Sequence, residues 1–165
     1  MVQLTAAVSP ATATGIVTFM DGATRLGVAR VVRGVAILNT KALGAGSRSI
    51  TAVFRGGGVY ASSTSTALTQ TVGQAPTSIR VVASPNPSRV GSAVRFTAIV
   101  SPPTATGTVT FMDGATTLGT VTRLSGAAVF ITKGLGVGVH SITALLNGTG
   151  NYAGSTAAAL VQTVN

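Results

Sequence analysis

Few side chains in this 165-residue chain could do covalent or acid–base chemistry. There is one histidine, His140, followed by Ser141, with Asp113 upstream. Serine, histidine and aspartate are the parts of a nucleophilic triad, in which the histidine takes the serine proton and the aspartate orients the ring. An internal match argues against that use. Ninety-two residues earlier, Ser49 and Asp21 stand where Ser141 and Asp113 stand, but Arg48 takes the place of His140. The base is therefore missing from one of two matching copies. Asp21 and Asp113 are the only acids, so neither copy holds the carboxylate pair of acid–base catalysis. Calcium takes six to eight oxygen ligands, usually several of them carboxylates, and one aspartate per copy does not supply them. Cysteine is absent, which removes disulfides, zinc–thiolate sites and thiol nucleophiles. Gly134-Leu135-Gly136-Val137-Gly138 has the look of a phosphate cradle, but such a loop must open a helix. A strand pattern follows it instead, and Ala42 replaces its first glycine in the earlier copy. The chain is expected not to be an enzyme. No catalytic, cofactor or metal residue is assigned.

Binding is the remaining chemistry. Eleven basic residues against two acids give a formal charge of +9, which raises the question of a polyanionic partner. The basic residues are scattered, and the five Phe and two Tyr do not alternate with them. Nucleic acid is therefore not the expected partner. Arg25, Arg30 and Arg33 stand close together, and their counterparts in the later copy are Thr117, Thr122 and Ser125. These three arginines are the candidate contact for an anionic glycan or a cell-wall polymer. The plainer role of such a stretch is a solvated strand edge, charged against edge-to-edge pairing. Tyr60 and Tyr152 recur in register and read as corner residues whose hydroxyls satisfy backbone groups. Asn147-Gly148-Thr149 fits a glycosylation sequon that the earlier copy lacks, and it is given no role.

The scaffold that must position these residues is written as a repeat. Shifted by 92 residues, the chain overlays itself without a gap, and roughly 42 of the 72 overlaid positions are identical. Val17-Thr18-Phe19-Met20-Asp21-Gly22-Ala23-Thr24 recurs as Val109-Thr110-Phe111-Met112-Asp113-Gly114-Ala115-Thr116. The period is close to the size of one β-sandwich domain. Within it, Val94, Phe96, Ala98 and Val100 alternate with Arg95, Thr97 and Ile99, the period of a half-buried strand. Further strands are expected over residues 78–84, 107–112, around Leu118 and Val121, and over 127–132, 139–146 and 155–164. Turn signals separate them, among them Pro85-Asn86-Pro87-Ser88 and Asp113-Gly114. Gln162 shares the parity of Leu160 and Val164, which simple alternation does not explain. A bulge or a sheet end would account for it. Residues 74–93 have no counterpart before the first copy, which begins inside what the second copy marks as an early strand.

The pattern Val-Ser-Pro-x-x-Ala-Thr-Gly-x-Val-Thr-Phe-x-Asp-Gly spans Val8 to Gly22 and again Val100 to Gly114. With the pairs Leu26-Gly27 and Leu118-Gly119, the two Ser-Ile-Thr-Ala strands and the segment from Asn151 to Ser155, it resembles the bacterial Ig-like domains found in tandem in large secreted and cell-surface proteins. The resemblance implies a spacer or stalk function, with adhesion in some members. Similar domains often carry Gly-Asp before the tyrosine. Here those positions are Gly56-Gly57 and Gly148-Thr149, which removes a carboxylate that calcium would use.

The expected fold is all-β: two tandem immunoglobulin-like β-sandwiches, residues 1–73 and 74–165, the first lacking its N-terminal strand. A short proline-containing linker, Gly73-Gln74-Ala75-Pro76, should hold them in a semi-rigid line. The expected function is a structural spacer of a bacterial cell-surface or secreted protein. The alternative is adhesion to an anionic glycan or other polyanion through the basic surface. The expected partners are neighbouring Ig-like repeats of a longer parent chain. No apolar run reaches the length of a membrane-spanning helix, and Met1-Val2-Gln3-Leu4-Thr5 is not a signal peptide. The incomplete first copy should be the less stable of the two, or should borrow a strand from a neighbour.

Overall fold

Val94, Phe96, Ala98 and Val100 are buried and Arg95 is exposed, so the two-residue period is a strand with one dry face. The same logic holds along the chain. The computed structural model describes residues 1–122 and 126–165, and every regular element in them is a strand. The chain forms two units, Met1–Gly73 and Gln74–Asn165. Ser125, the counterpart of Arg33, lies outside the described residues.

The first unit contains β1 (Val2–Ala7), β2 (Ile16–Asp21), β3 (Thr24–Arg30), β4 (Val35–Thr40), β5 (Gly46–Phe54), β6 (Ser63–Thr64) and β7 (Leu68–Val72). One of its sheets has the order β3-β2-β5-β6, with β7 also on β5, and the other is the pair β1-β4. The second unit contains β8 (Ser78–Ser84), β9 (Val94–Ser101), β10 (Gly107–Asp113), β11 (Thr116–Thr122), β12 (Ala127–Thr132), β13 (Gly138–Gly148), β14 (Ser155–Thr156) and β15 (Leu160–Val164). Its sheets are β11-β10-β13-β14, with β15 on β13, and β12-β9-β8. All strand pairs are antiparallel. Each unit is a sandwich, and only the second has the strand β8.

Each sandwich has its own core. In the second unit Phe96, Phe111 and Ile142 are fully buried, and Phe111 stacks on Phe130 at 5.7 Å between ring centres. In the first unit Val17, Phe19, Ile50 and Phe54 are buried. Leu4 and Leu38 replace Phe96 and Phe130 at the 92-residue offset, while Phe54 replaces Leu146. The aromatic volume is redistributed, and the burial of Phe19 and Phe54 survives.

Two details depart from plain alternation. Leu118 and Val121 are three apart, yet both pack on the core. The register shifts between Phe111 and Met112, leaving Leu118 as the extra residue of a bulge. The strand expected over residues 155–164 is two strands. β14 and β15 both pair with β13, but their registers differ by one residue, with Ala157 turned inward between them. Gln162 does point into the core, fully buried. Its Nε2 donates to the Pro85 carbonyl, the Ser88 hydroxyl and the Thr163 carbonyl, at 3.1–3.2 Å. Nε2 shares its two hydrogens among these acceptors and so ties β15 to the turn after β8, while Oε1 is buried without a hydrogen-bond partner.

Candidate anion-binding groove

The triad residues meet, but as a clamp. His140 Nδ1 lies 2.6 Å from Asp113 Oδ2, and its Nε2 lies 2.9 Å from the Gly136 carbonyl. A carbonyl accepts only, so Nε2 carries a proton and cannot take one from Ser141. The His140 pKa is raised above its ordinary 6.5, first by the Gly136 carbonyl and then by the hydrogen bond to Asp113. Asp113 Oδ1 also accepts from the Ser141 amide at 3.0 Å. Arg48 does the same work in the first unit. It donates to the Gly44 and Ala45 carbonyls at 2.9 Å and reaches Asp21 at 3.6 Å. In both units the aspartate pins a hairpin turn to the neighbouring strand, and the histidine or arginine beside it secures the loop before that strand.

The other motifs are also structural. The segment from Gly134 to Gly138 opens β13, and Leu135 anchors it in the core. Tyr60 donates to the Thr12 hydroxyl at 3.1 Å, and Tyr152 to the Thr104 hydroxyl at 3.0 Å. The tyrosine partner is thus a threonine side chain, not the backbone. No group of three or more metal-ligating side chains occurs among the described residues.

The arginines behave differently. Arg25 and Arg30 are five residues apart, so strict alternation puts them on opposite faces of β3. The bulge between Phe19 and Met20 makes Leu26 the extra residue and brings Arg25 onto the outer face with Val28 and Arg30. β2 lies between β3 and β5, and the Arg55 amide donates to the Ile16 carbonyl across it at 3.1 Å. Arg25, Arg30 and Arg55 therefore line one groove of about 740 Å³. Its floor includes Ile16 and Val28, both exposed apolar side chains, and its end is the Gly56-Gly57-Gly58 loop. The sole acid of this unit, Asp21, is held by Arg48, and the three guanidiniums make no ion pair among the described residues.

Arg33 stands apart from the groove. It occupies a tight turn in the connection from β3 to β4, which lie in different sheets, with φ 50°, followed by Gly34 at φ 77°. Val32 and Val35 exchange both backbone hydrogen bonds across the turn. Two successive left-handed residues make the tight turn that suits the strand twist. Arg55 is the groove residue that spacing along the chain did not reveal. Its signal is topological, since the strand that ends beside it pairs with β2.

On the same face of the second unit the described residues carry no arginine. Thr117, Thr122 and Asn147 replace the three arginines. Asn147 donates to the Thr108 and Thr110 hydroxyls at 3.2 and 3.1 Å, and Thr110 bonds Thr120 at 3.0 Å. The polar groups satisfy each other there.

The sequence profile of the family described as bacterial Ig-like domain (group 3) matches residues 1–73 and again 81–165. The chain belongs to the bacterial Ig-like domain family. Both copies are matched, the incomplete one included, so the family pattern resides in the strands the two units share. No curated protein matches the sequence. Among solved structures, the Clostridium thermocellum CbhA fibronectin(III)-like modules are similar at 15% identity and a TM-score of 0.41, covering 99% of this chain and 83% of that one. Among the described residues no helix is long and apolar enough to cross a membrane.

Proposed function

We propose that this pair of bacterial Ig-like domains is a non-catalytic spacer of a cell-surface or secreted bacterial protein, working in series with neighbouring repeats. One observation carries the reading. What the two copies hold in common is core, turn and clamp: Val17 and Val109, Phe19 and Phe111, Ile50 and Ile142 are all buried, and each turn aspartate is engaged. The outer face, by contrast, differs in charge, with Arg25, Arg30 and Arg55 standing where the second copy has Thr117, Thr122 and Asn147. A spacer needs an independently folded unit and no shared site. Single-molecule stretching tests this. Two separate unfolding events are expected, with released chain of at most roughly 26 nm for the first unit and 33 nm for the second, at about 3.6 Å per residue. One concerted event would refute independent mechanical units.

A second reading rests on the groove of Arg25, Arg30 and Arg55. Three unpaired guanidiniums around an apolar floor suit an acidic polysaccharide, whose carboxylates or sulfates meet the arginines while sugar faces rest on Ile16 and Val28. Titration with polygalacturonate should show binding that weakens steeply with added salt, is lost in Arg55→Ser, and is absent for neutral dextran. Binding that ignores salt or survives the substitution would exclude the groove.

A further inference from the structure

In the second repeat, Gln74–Asn165, the chain enters and leaves at opposite ends of the sandwich. β13 runs from Gly138 at one end to Gly148 at the other. Entry is at the Gly148 end, where Ala75 donates to the Asn151 carbonyl at 2.7 Å and accepts from the Ala153 amide at 2.9 Å. Exit is at the Gly138 end, since Val164 of β15 stands opposite Gly138. A load applied through the flanking chain therefore acts along the strands.

At the exit the segment after β8 lies beside β15. Ser88 and Val164 form a parallel bridge. The Ser88 amide donates to the Thr163 carbonyl at 2.9 Å, the Asn165 amide to the Ser88 carbonyl at 2.8 Å, and the Val90 amide to the main-chain oxygen of Asn165 at 2.8 Å. Side chains add to this ladder. Asn86 donates to the Val161 carbonyl at 2.7 Å and accepts from the Thr163 amide at 3.1 Å. Gln162 reaches the Pro85 carbonyl and the Ser88 hydroxyl at 3.2 Å. Ser88, Gln162 and Val164 are buried, which keeps water from competing for the bonds around them.

The parallel sense decides how these bonds are loaded. Tension on the chain before Ala75 draws residues 85–90, through β8, towards the Gly148 end. Tension on the chain after Asn165 draws β15 the opposite way. The two segments are driven to slide past each other, and the bonds that run between them are strained together. A pair opened from one end breaks its bonds one at a time. β8 on β9 and β15 on β13 are loaded in the same sliding sense. Whichever of β8 and β15 yields, the contact that joins them must break.

We propose that the second repeat is a load-bearing module, with the parallel contact of residues 85–90 on β15 as its shear latch. The inference rests on the spacer reading for the source of the tension. Its geometry is that of the second repeat alone. The latch makes resistance directional: strong along the chain, weak across it.

The test stretches the intact chain between a handle at Met1 and one after Asn165, and reads the event that releases the longer segment. Asn86→Ala removes two latch bonds from an exposed side chain. At constant force it should speed that event by about tenfold. Asn147→Ala also removes two bonds from an exposed side chain, but these join β13 to β10, and the rate should not change. A second measurement keeps the latch intact and changes the direction of pull. The chain has no cysteine, and a Cβ at exposed Gly136 would meet nothing within 4 Å, so Gly136→Cys gives a single attachment point beside the exit. Pulling between it and the handle after Asn165 peels β15 from its end and should open the repeat at a lower force. Equal effects of Asn86→Ala and Asn147→Ala would overturn the proposal, as would equal forces in the two directions. A single concerted event would refute the spacer reading instead, and the comparison of directions would still decide the latch.

Discussion

The two repeats are one scaffold with one strand of difference. In the second, β8 closes the sandwich, Val164 is buried and Gln162 has three acceptors. In the first, Val72 is half-buried and Gln70 bonds only its neighbour. Even so, Val17, Phe19, Ile50 and Phe54 stay buried in the open unit. The core of the first unit is thus anchored by β2 and β5, and in the second unit β8 seals the corresponding flank. Burial scales with apolar area removed from water, so the open unit should be the weaker. Surface chemistry varies on top of this frame. One outer face carries three arginines, and its counterpart carries a satisfied network of threonine and asparagine.

Several substitutions would break or sharpen that contrast. The largest effect is expected from Val81→Asp, which puts an unpaired carboxylate into the seat of β8. The second repeat should lose about 3 kcal/mol or more and fall towards the stability of the first, read as the order of two transitions in urea. If the second repeat still unfolds far later than the first, β8 is not what separates them. Next, Gln162→Ala should cost about 2 kcal/mol by stranding Ser88 and opening a cavity. Gln70→Ala should cost less than about 0.5 kcal/mol, as expected near the surface. Equal costs would mean that the tie to the turn after β8 contributes little.

A smaller change is expected at Arg33. Its left-handed backbone suits Asn better, so Arg33→Asn should stabilise the first repeat by about 0.5–1 kcal/mol and leave polyanion binding intact. Loss of binding would return Arg33 to the site.

The smallest effect is pH-dependent. The folded pKa of His140 lies above 6.5, so its contribution is complete below that value and is lost as pH rises through the raised one. The second repeat should lose less than about 1 kcal/mol across that window, as fits a pair near the surface. The first repeat, with Arg48 in the same place, should stay flat. His140→Arg should abolish the dependence, and a dependence that persists in that variant would place its source elsewhere.

Much of this was legible in the amino-acid order. The 92-residue match and the two-residue alternation at Val94 to Val100 exposed two sandwiches and an incomplete first copy. The replacement of His140 by Arg48 argued against a triad before geometry was known. The groove was only half legible. Arg25 and Arg30 were singled out as neighbours in sequence, but a bulge residue, Leu26, sets their common face. Arg33 was grouped with them by proximity, and a two-residue turn directs it elsewhere. Arg55 joins them across a strand pairing more than twenty residues distant.

Local order along the chain determined which residues are apolar, how often they recur and where turns fall, because side-chain period and turn chemistry are properties of short segments. Tertiary structure alone decided which arginines share a groove and which groups Gln162 meets in a core. Those outcomes depend on register and on pairing between distant segments, and a shift of one residue reverses the face a side chain presents.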